Sequence, residues 1–255
     1  LSGILSEILA TKASEVEALR GRKLPAGPPR RPLALARKPG EPLRLITEIK
    51  RRSPSAGALS VAQSVSERAA AYERAGASMV SVLCDQRYFD GAFEHLAEAR
   101  AVCALPLLCK EFVIDEVQLD AARSFGADAV LLIVRCLSSE RVTALVHAAR
   151  ERELEPFVEV ATDEEVDIAL DAGATLIGVN ARDLDTLQMD AARAARILEA
   201  LPPSVVSVHL SGLGSPEAVM SVAKGSAHAA LIGEILMRED DPESLLRKLV
   251  TAARG

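Results

Sequence analysis

The chain has 255 residues, 49% hydrophobic and 26% charged, which is the makeup of a globular protein in one large domain or two small ones. No run approaches the roughly 18–20 apolar residues of a membrane span, and a formal net charge of −6 with 3% aromatics argues against a nucleic-acid binder. The four cysteines (Cys84, Cys103, Cys109, Cys136) lack Cys-x-x-Cys spacing and read as free, buried thiols of the cytosol.

In chain order, the first element is the amphipathic stretch Leu1–Arg20, which carries acids and resembles neither a signal nor a transit peptide. From Arg20 to Arg52 there are eleven Lys/Arg against two acids, and six of the thirteen prolines fall between Pro25 and Pro42. That composition predicts a solvated basic connector, with Lys50 excepted. Lys50 belongs to "LITEIKRRSPSAG", where the apolar run Leu45–Ile49 reads as a buried strand. Alternate strand residues share a face, so Glu48 and Lys50 point the same way.

Four later segments resemble one another: "RAGASMVSVL" at Gly76, "SFGADAVLLI" at Gly126, "DAGATLIGVN" at Gly173 and "AKGSAHAALIGE" at Gly225. In each a helical pattern ends at Gly, where a left-handed residue stops the helix without a Cβ penalty, and an apolar run follows. The spacing of about 50 residues marks a repeat. Between them lie Leu45–Ile49, Leu105–Cys109, Pro156–Val160 and Val205–Leu210. Helical patterns separate all eight runs: Val61–Ala75, Gly91–Val102, Asp115–Phe125, Ser138–Arg152, Thr162–Ala172, Asp190–Ala200, Ser215–Ala223 and Pro242–Ala253. Eight strand–helix units in this length predict an α/β fold, a single (β/α)8 TIM barrel over residues 1–255. Residues 1–44 form an extra N-terminal helix and the Pro/Arg-rich connector, and 45–255 the barrel. A doubly wound open sheet is the alternative, but no Gly-x-Gly-x-x-Gly follows the first strand.

In such a barrel the active site lies at the C-terminal strand ends. Strand one supplies Glu48 and Lys50, strand two Cys84 and Asp85, strand three Lys110 and strand four Leu131 and Ile133. Strands five to eight supply Glu159, Asn180, Ser211, and Gly233 with Glu234. Two lysines, two glutamates and an asparagine at one mouth are not core filling, since Lys and Glu are rarely buried unpaired. "SGLGSPEAV" after strand seven and "GEILM" after strand eight suit a phosphate, because Gly212, Gly214 and Gly233 permit close backbone approach. Lys110 and Glu159 form a natural proton donor and acceptor.

The blocks "EIKRRSPSAG", "LLCKEFVIDEVQL", "FVEVATDEE", "LIGVNARDLDT" and "IGEILM", in this order, resemble the indole-3-glycerol-phosphate synthase family, from the N-terminal helix to the C-terminus. The resemblance implies a carbon–carbon lyase (a carboxy-lyase) of tryptophan biosynthesis in the cytoplasm. It would close the pyrrole ring of 1-(2-carboxyphenylamino)-1-deoxyribulose 5-phosphate, losing carbon dioxide and water, with no metal or organic cofactor. By position, Lys110 would be the general acid on the substrate carbonyl and its departing oxygen, and Glu159 the base or carboxylate partner. Lys50 would bind the substrate carboxylate, Glu48 would hold the lysines, and Asn180 and Ser211 would fix the substrate by hydrogen bonds. Arg182 would add charge near the carboxylate, and Ser53, Gly212 and Gly233 would serve the phosphate. Pro54, Phe89, Phe112 and Leu131 would wall the aromatic ring, with Leu184, Leu231 and Glu234 completing the substrate-binding set. The implied partner is a phosphorylated small molecule, with neither nucleic acid nor membrane; monomer and homodimer both stay open.

One position departs from the family pattern: Leu210 stands where strand seven should carry a glutamate of the catalytic set. Alternation turns Leu210 inward and His209 toward the helices, so His209 is no substitute. Smaller departures are Cys109 before Lys110, Ala181 after Asn180, and Cys84 for a common threonine. Three readings follow: a synthase working without that glutamate, a paralogue for a related phosphorylated substrate, or a non-catalytic barrel that binds a phosphorylated ligand.

Overall fold

Eight short apolar runs have nowhere to bury both faces except between a lumen and a helix layer, and that is where they lie. The computed structural model describes residues 3–53, 57–60, 62–183 and 188–255, with Ser53 and Ala58 described by backbone alone. The strands are β1 (Arg44–Ile49), β2 (Met79–Leu83), β3 (Leu107–Lys110), β4 (Ala129–Ile133), β5 (Glu155–Val160), β6 (Leu176–Asn180), β7 (Val206–Leu210) and β8 (Ala229–Ile232). They pair in chain order, all parallel, and β1 closes the ring: Thr47 is level with Val80 of β2 on one side and Ile232 of β8 on the other. This is the expected (β/α)8 barrel.

Strand alternation sorts the core into two layers. Leu45 and Ile49 of β1 join the large cluster between strands and helices, whereas Ile46 joins the lumen with Met79, Leu108, Phe157 and Val208. The helices begin where the sequence offers an acceptor for free backbone N–H groups. Ser64 and Asp115 make capping boxes with Glu67 and Gln118, which start those helices at Val65 and Glu116, inside the sequence-predicted spans. Gly76, at φ 96°, ends the helix before β2 as its left-handed stop.

Three features were not legible from the pattern. Short helices follow β2 (Gln86–Phe89) and β8 (Glu234–Met237), and a hairpin pairs Arg52–Ser53 with Gly57–Ala58 beyond β1. The connector is the main correction: it is not simply solvated. Leu35 is 2% exposed and belongs to the lumen cluster. The Arg31 guanidinium donates to the carbonyls of Leu105 and Arg100, and its backbone N–H donates to Asp128. Arg37 donates to the carbonyls of Glu41, Ala223, Gly225 and Ala227. Most of these acceptors lie just before strands or at a helix end, where carbonyls lack intrahelical partners. The connector therefore seals the N-terminal end of the barrel.

Candidate active site

The opposite end of the lumen opens into a cavity of about 490 Å³. Its polar floor is built by residues at the C-terminal ends of strands. β1 delivers Glu48, 3% exposed, whose Oε1 lies 2.8 Å from Lys50 Nζ and whose Oε2 lies 3.7 Å from Lys110 Nζ. Burial works to raise the Glu48 pKa, but the two ammonium groups outweigh it and leave the carboxyl below its ordinary value. Glu159 on β5 lies 3.9 Å from Lys110 on the other side. The Lys110 ammonium thus stands between two carboxylates, at the long end of ion-pair distance from both, with hydrogen-bonding capacity left for a ligand.

Asn180, at the end of β6, donates from Nδ2 to Glu159 Oε1 at 2.8 Å and accepts from the Arg182 N–H at 2.9 Å. The Arg193 guanidinium in turn holds the Asn180 carbonyl at 3.1 Å. These bonds fix the Asn180 amide and aim Glu159 into the cavity. Gly233 is required on packing grounds, since a Cβ there would come within 2.5 Å of Glu48 Oε1. Ser211 and Gly212 both have positive φ, 68° and 81°, so the chain turns sharply off β7 in a conformation that exposes backbone groups to the cavity. His209 Nε2 lies 3.1 Å from the Ser211 carbonyl, and burial lowers the His209 pKa despite that bond. His209 does not line the cavity; Leu210 does, at 2% exposure.

The remaining wall is apolar. Phe89 and Phe112 face each other with ring centroids 6.1 Å apart. Leu131 and Leu231 extend the apolar lining from β4 and β8, and Glu234 stands at the rim with Arg238, which bonds it at 2.7 Å and lowers its pKa. Thus Glu48, Lys50, Phe89, Lys110, Phe112, Leu131, Glu159, Asn180, Arg182, Ser211, Gly212, Leu231, Gly233 and Glu234 all line one cavity. Pro54 and Leu184 lie outside the described residues, as does the Ser53 side chain. Sequence reasoning did not anticipate that Leu5 and Ile8 of the N-terminal helix (Ile4–Leu19), with Leu83, Glu111 and Arg238, line it too. The helix had one signal: Leu5, Ile8 and Val16 form an apolar stripe at helical spacing.

A closed parallel barrel with an acid–base mouth at the C-terminal strand ends and a glycine-turned rim on strands seven and eight defines an enzyme of the (β/α)8 class. Solved structures agree on the fold: 3-hexulose-6-phosphate synthase from Salmonella typhimurium superimposes with a TM-score of 0.66 at 13% identity, over 83% of this chain and 98% of that one. The sequence narrows the class. The family model described as indole-3-glycerol phosphate synthase matches residues 5–249, and the chain belongs to that family. The Exiguobacterium sp. indole-3-glycerol phosphate synthase is 40% identical over 98% of this chain and 97% of its own length. Indole-3-glycerol phosphate synthase 2 of Streptomyces coelicolor is 43% identical, covering 96% and 100%. Membership makes the chain a carboxy-lyase of tryptophan biosynthesis. Among the described residues no helix is long and apolar enough to cross a membrane.

Proposed function

We propose that Lys110 and Glu159 carry the acid–base chemistry of indole-3-glycerol phosphate formation from 1-(2-carboxyphenylamino)-1-deoxyribulose 5-phosphate, the whole chain acting as one unit in the cytoplasm. The supporting observation is the Lys110 ammonium, held between Glu48 at 3.7 Å and Glu159 at 3.9 Å in the cavity floor. The phosphate fits the rim at Gly212 and Gly233, the carboxylate meets Lys50 and Arg182, and the aromatic ring lies against Phe89 and Phe112. Lys110 protonates the ketone oxygen as the carboxylate-bearing ring carbon attacks that carbonyl carbon. Cleavage of the bond to the carboxylate releases carbon dioxide, and its electron pair restores the aromatic ring. Lys110 regains a proton from solvent; Glu159 then removes a proton from the neighbouring methylene carbon while the new hydroxyl, protonated by the recharged lysine, leaves as water. Asn180 keeps Glu159 oriented throughout.

The test is to follow indole product by fluorescence on adding this substrate, with Lys110→Ala as the blank. Loss of a positioned acid should cost about 10²–10⁴ in turnover, with phosphate binding retained. Turnover close to that of the unaltered chain in Lys110→Ala would remove the lysine from its role. Leu210 favours a second reading, a paralogue whose substrate differs near strand seven: substrate binding without turnover in the unaltered chain would select it.

A further inference from the structure

The N-terminal helix buries Leu5, Ile8, Lys12 and Val16 on one stripe. Three are apolar; the fourth is an ammonium with 0% side-chain exposure. Lys12 Nζ lies 2.7 Å from Asp85, 2.9 Å from Glu111 and 2.6 Å from Glu15. Asp85 and Glu111 are themselves buried, and neither is a partner on the helix's own surface: Asp85 follows β2 and Glu111 follows β3.

Each of those carboxylates also positions part of the cavity's apolar wall. Asp85 Oδ1 accepts from the N–H groups of Tyr88 and Phe89, capping the short helix that carries Phe89. Glu111 Oε1 accepts from the Phe112 N–H at 2.6 Å, and its neighbour is Lys110. The helix brings Leu5 and Ile8, about two turns and one turn from Lys12, to the same cavity. One ammonium therefore joins the three segments whose apolar side chains form one wall. Other ties are weaker or more distant: Thr11 meets Tyr88 and Arg87 at 3.3 Å, and Arg20 bonds Asp115 at the far end of the helix.

We propose that Lys12 is a positioning residue, a buried ionic latch that sets the apolar wall of the cavity and through it the recognition of the substrate's aromatic half. This rests on the reading of the cavity given under Proposed function, and on nothing that touches the reacting atoms. The wall is assembled from separate segments, so a shift of the helix changes its fit without moving the lysines and glutamates of the strand ends. The phosphate rim on strands seven and eight shares no residue with the latch.

The experiment compares the full-length chain with Lys12→Met, which keeps the length of the stem and removes the charge, and with Lys12→Arg. Steady-state KM and kcat are measured with the carboxyphenylamino-deoxyribulose phosphate, and anthranilate and inorganic phosphate are used as competitive inhibitors. Turnover by the unaltered chain establishes the activity separately from the latch. In Lys12→Met the KM and the anthranilate inhibition constant should both rise about tenfold or more, the range for losing fit in an apolar pocket. The kcat should stay within about threefold and the phosphate constant should not move, with Lys12→Arg restoring part of the affinity. A merely structural role would lower the active fraction and leave KM unchanged. Should Lys12→Met not fold, Asp85→Asn replaces it, because Asn keeps the helix cap and drops the charge. An unchanged KM in the folded variant overturns the proposal.

Discussion

Leu210 is the residue at which this mouth differs from its family pattern, and its surroundings define what restoring a carboxylate would do. It sits level with Asn180 in the β6–β7 register. Its side chain turns down over Gly178, where an added Cβ would come within 2.7 Å of Leu210 Cδ1 and 2.5 Å of Phe157. Leu210 thus fills a space that Gly178 leaves open and belongs to the lumen core. Around it Glu159 keeps its Asn180 partner. Leu210→Glu should therefore act in two directions. A carboxylate beside Asn180 adds a proton-transfer partner and should raise turnover about tenfold or more. Placing it on apolar neighbours should cost stability, because a buried charge is costly unless it is paired, and this is read as a lower thermal midpoint. Unchanged turnover with unchanged substrate affinity would show that the cavity does not follow the family geometry.

At the scale of elements, the strands were legible because Gly-terminated helices and short apolar runs recur at an even spacing, and barrel closure then placed every strand end at one mouth. That is why the sequence alone brings Glu48, Lys110, Glu159 and Asn180 together. The connector was illegible for the opposite reason. Its arginines satisfy carbonyls that are distant in sequence, such as Ala227 for Arg37 and Leu105 for Arg31, and no local period records that. Lys12 had a signal, a charge inside an apolar stripe, but a lysine there reads equally well as a stem lying along the surface with its head in water. Leu35 shows what the connector contributes. It occupies the lumen at the end away from Lys110, so Leu35→Ala should leave a cavity and cost about 2–5 kcal/mol. The denaturant midpoint should fall while kcat/KM stays within about twofold. A comparable loss of kcat/KM would mean that the two ends of the barrel are coupled.

Across the whole molecule, the buried charges set how stability follows pH. Around Lys12 one ammonium faces three carboxylates, Asp85, Glu111 and Glu15, with Lys110 next to Glu111 in sequence and the Cys84 and Cys109 thiols alongside. Burial alone would lower the Lys12 pKa, but Glu111, Asp85 and Glu15 outweigh it and raise it. Burial and the excess negative charge push Glu111 the same way, from 4.5 up to about 7, against the pull of Lys12. The folded chain then binds a proton at Glu111 that the unfolded chain has released, over the window between those two values. Stability from this group is present below about pH 4.5 and is lost as pH rises through 7, by roughly 3 kcal/mol at about 1.4 kcal/mol per unit. Glu48 has the opposite sign: its lowered pKa gives stability above its ordinary value that disappears only as pH falls through the depressed one. Taken alone these two groups favour the acid side of neutrality, whereas His209, its pKa lowered by burial, works the other way because protonating it disfavours the folded chain. Glu111→Gln mimics the protonated group at every pH, so its thermal midpoint should match that of the unaltered chain near pH 5 and exceed it by several degrees at pH 8. Parallel pH profiles for the two chains would mean that Glu111 does not titrate in this range, and that the latch holds it ionised without cost.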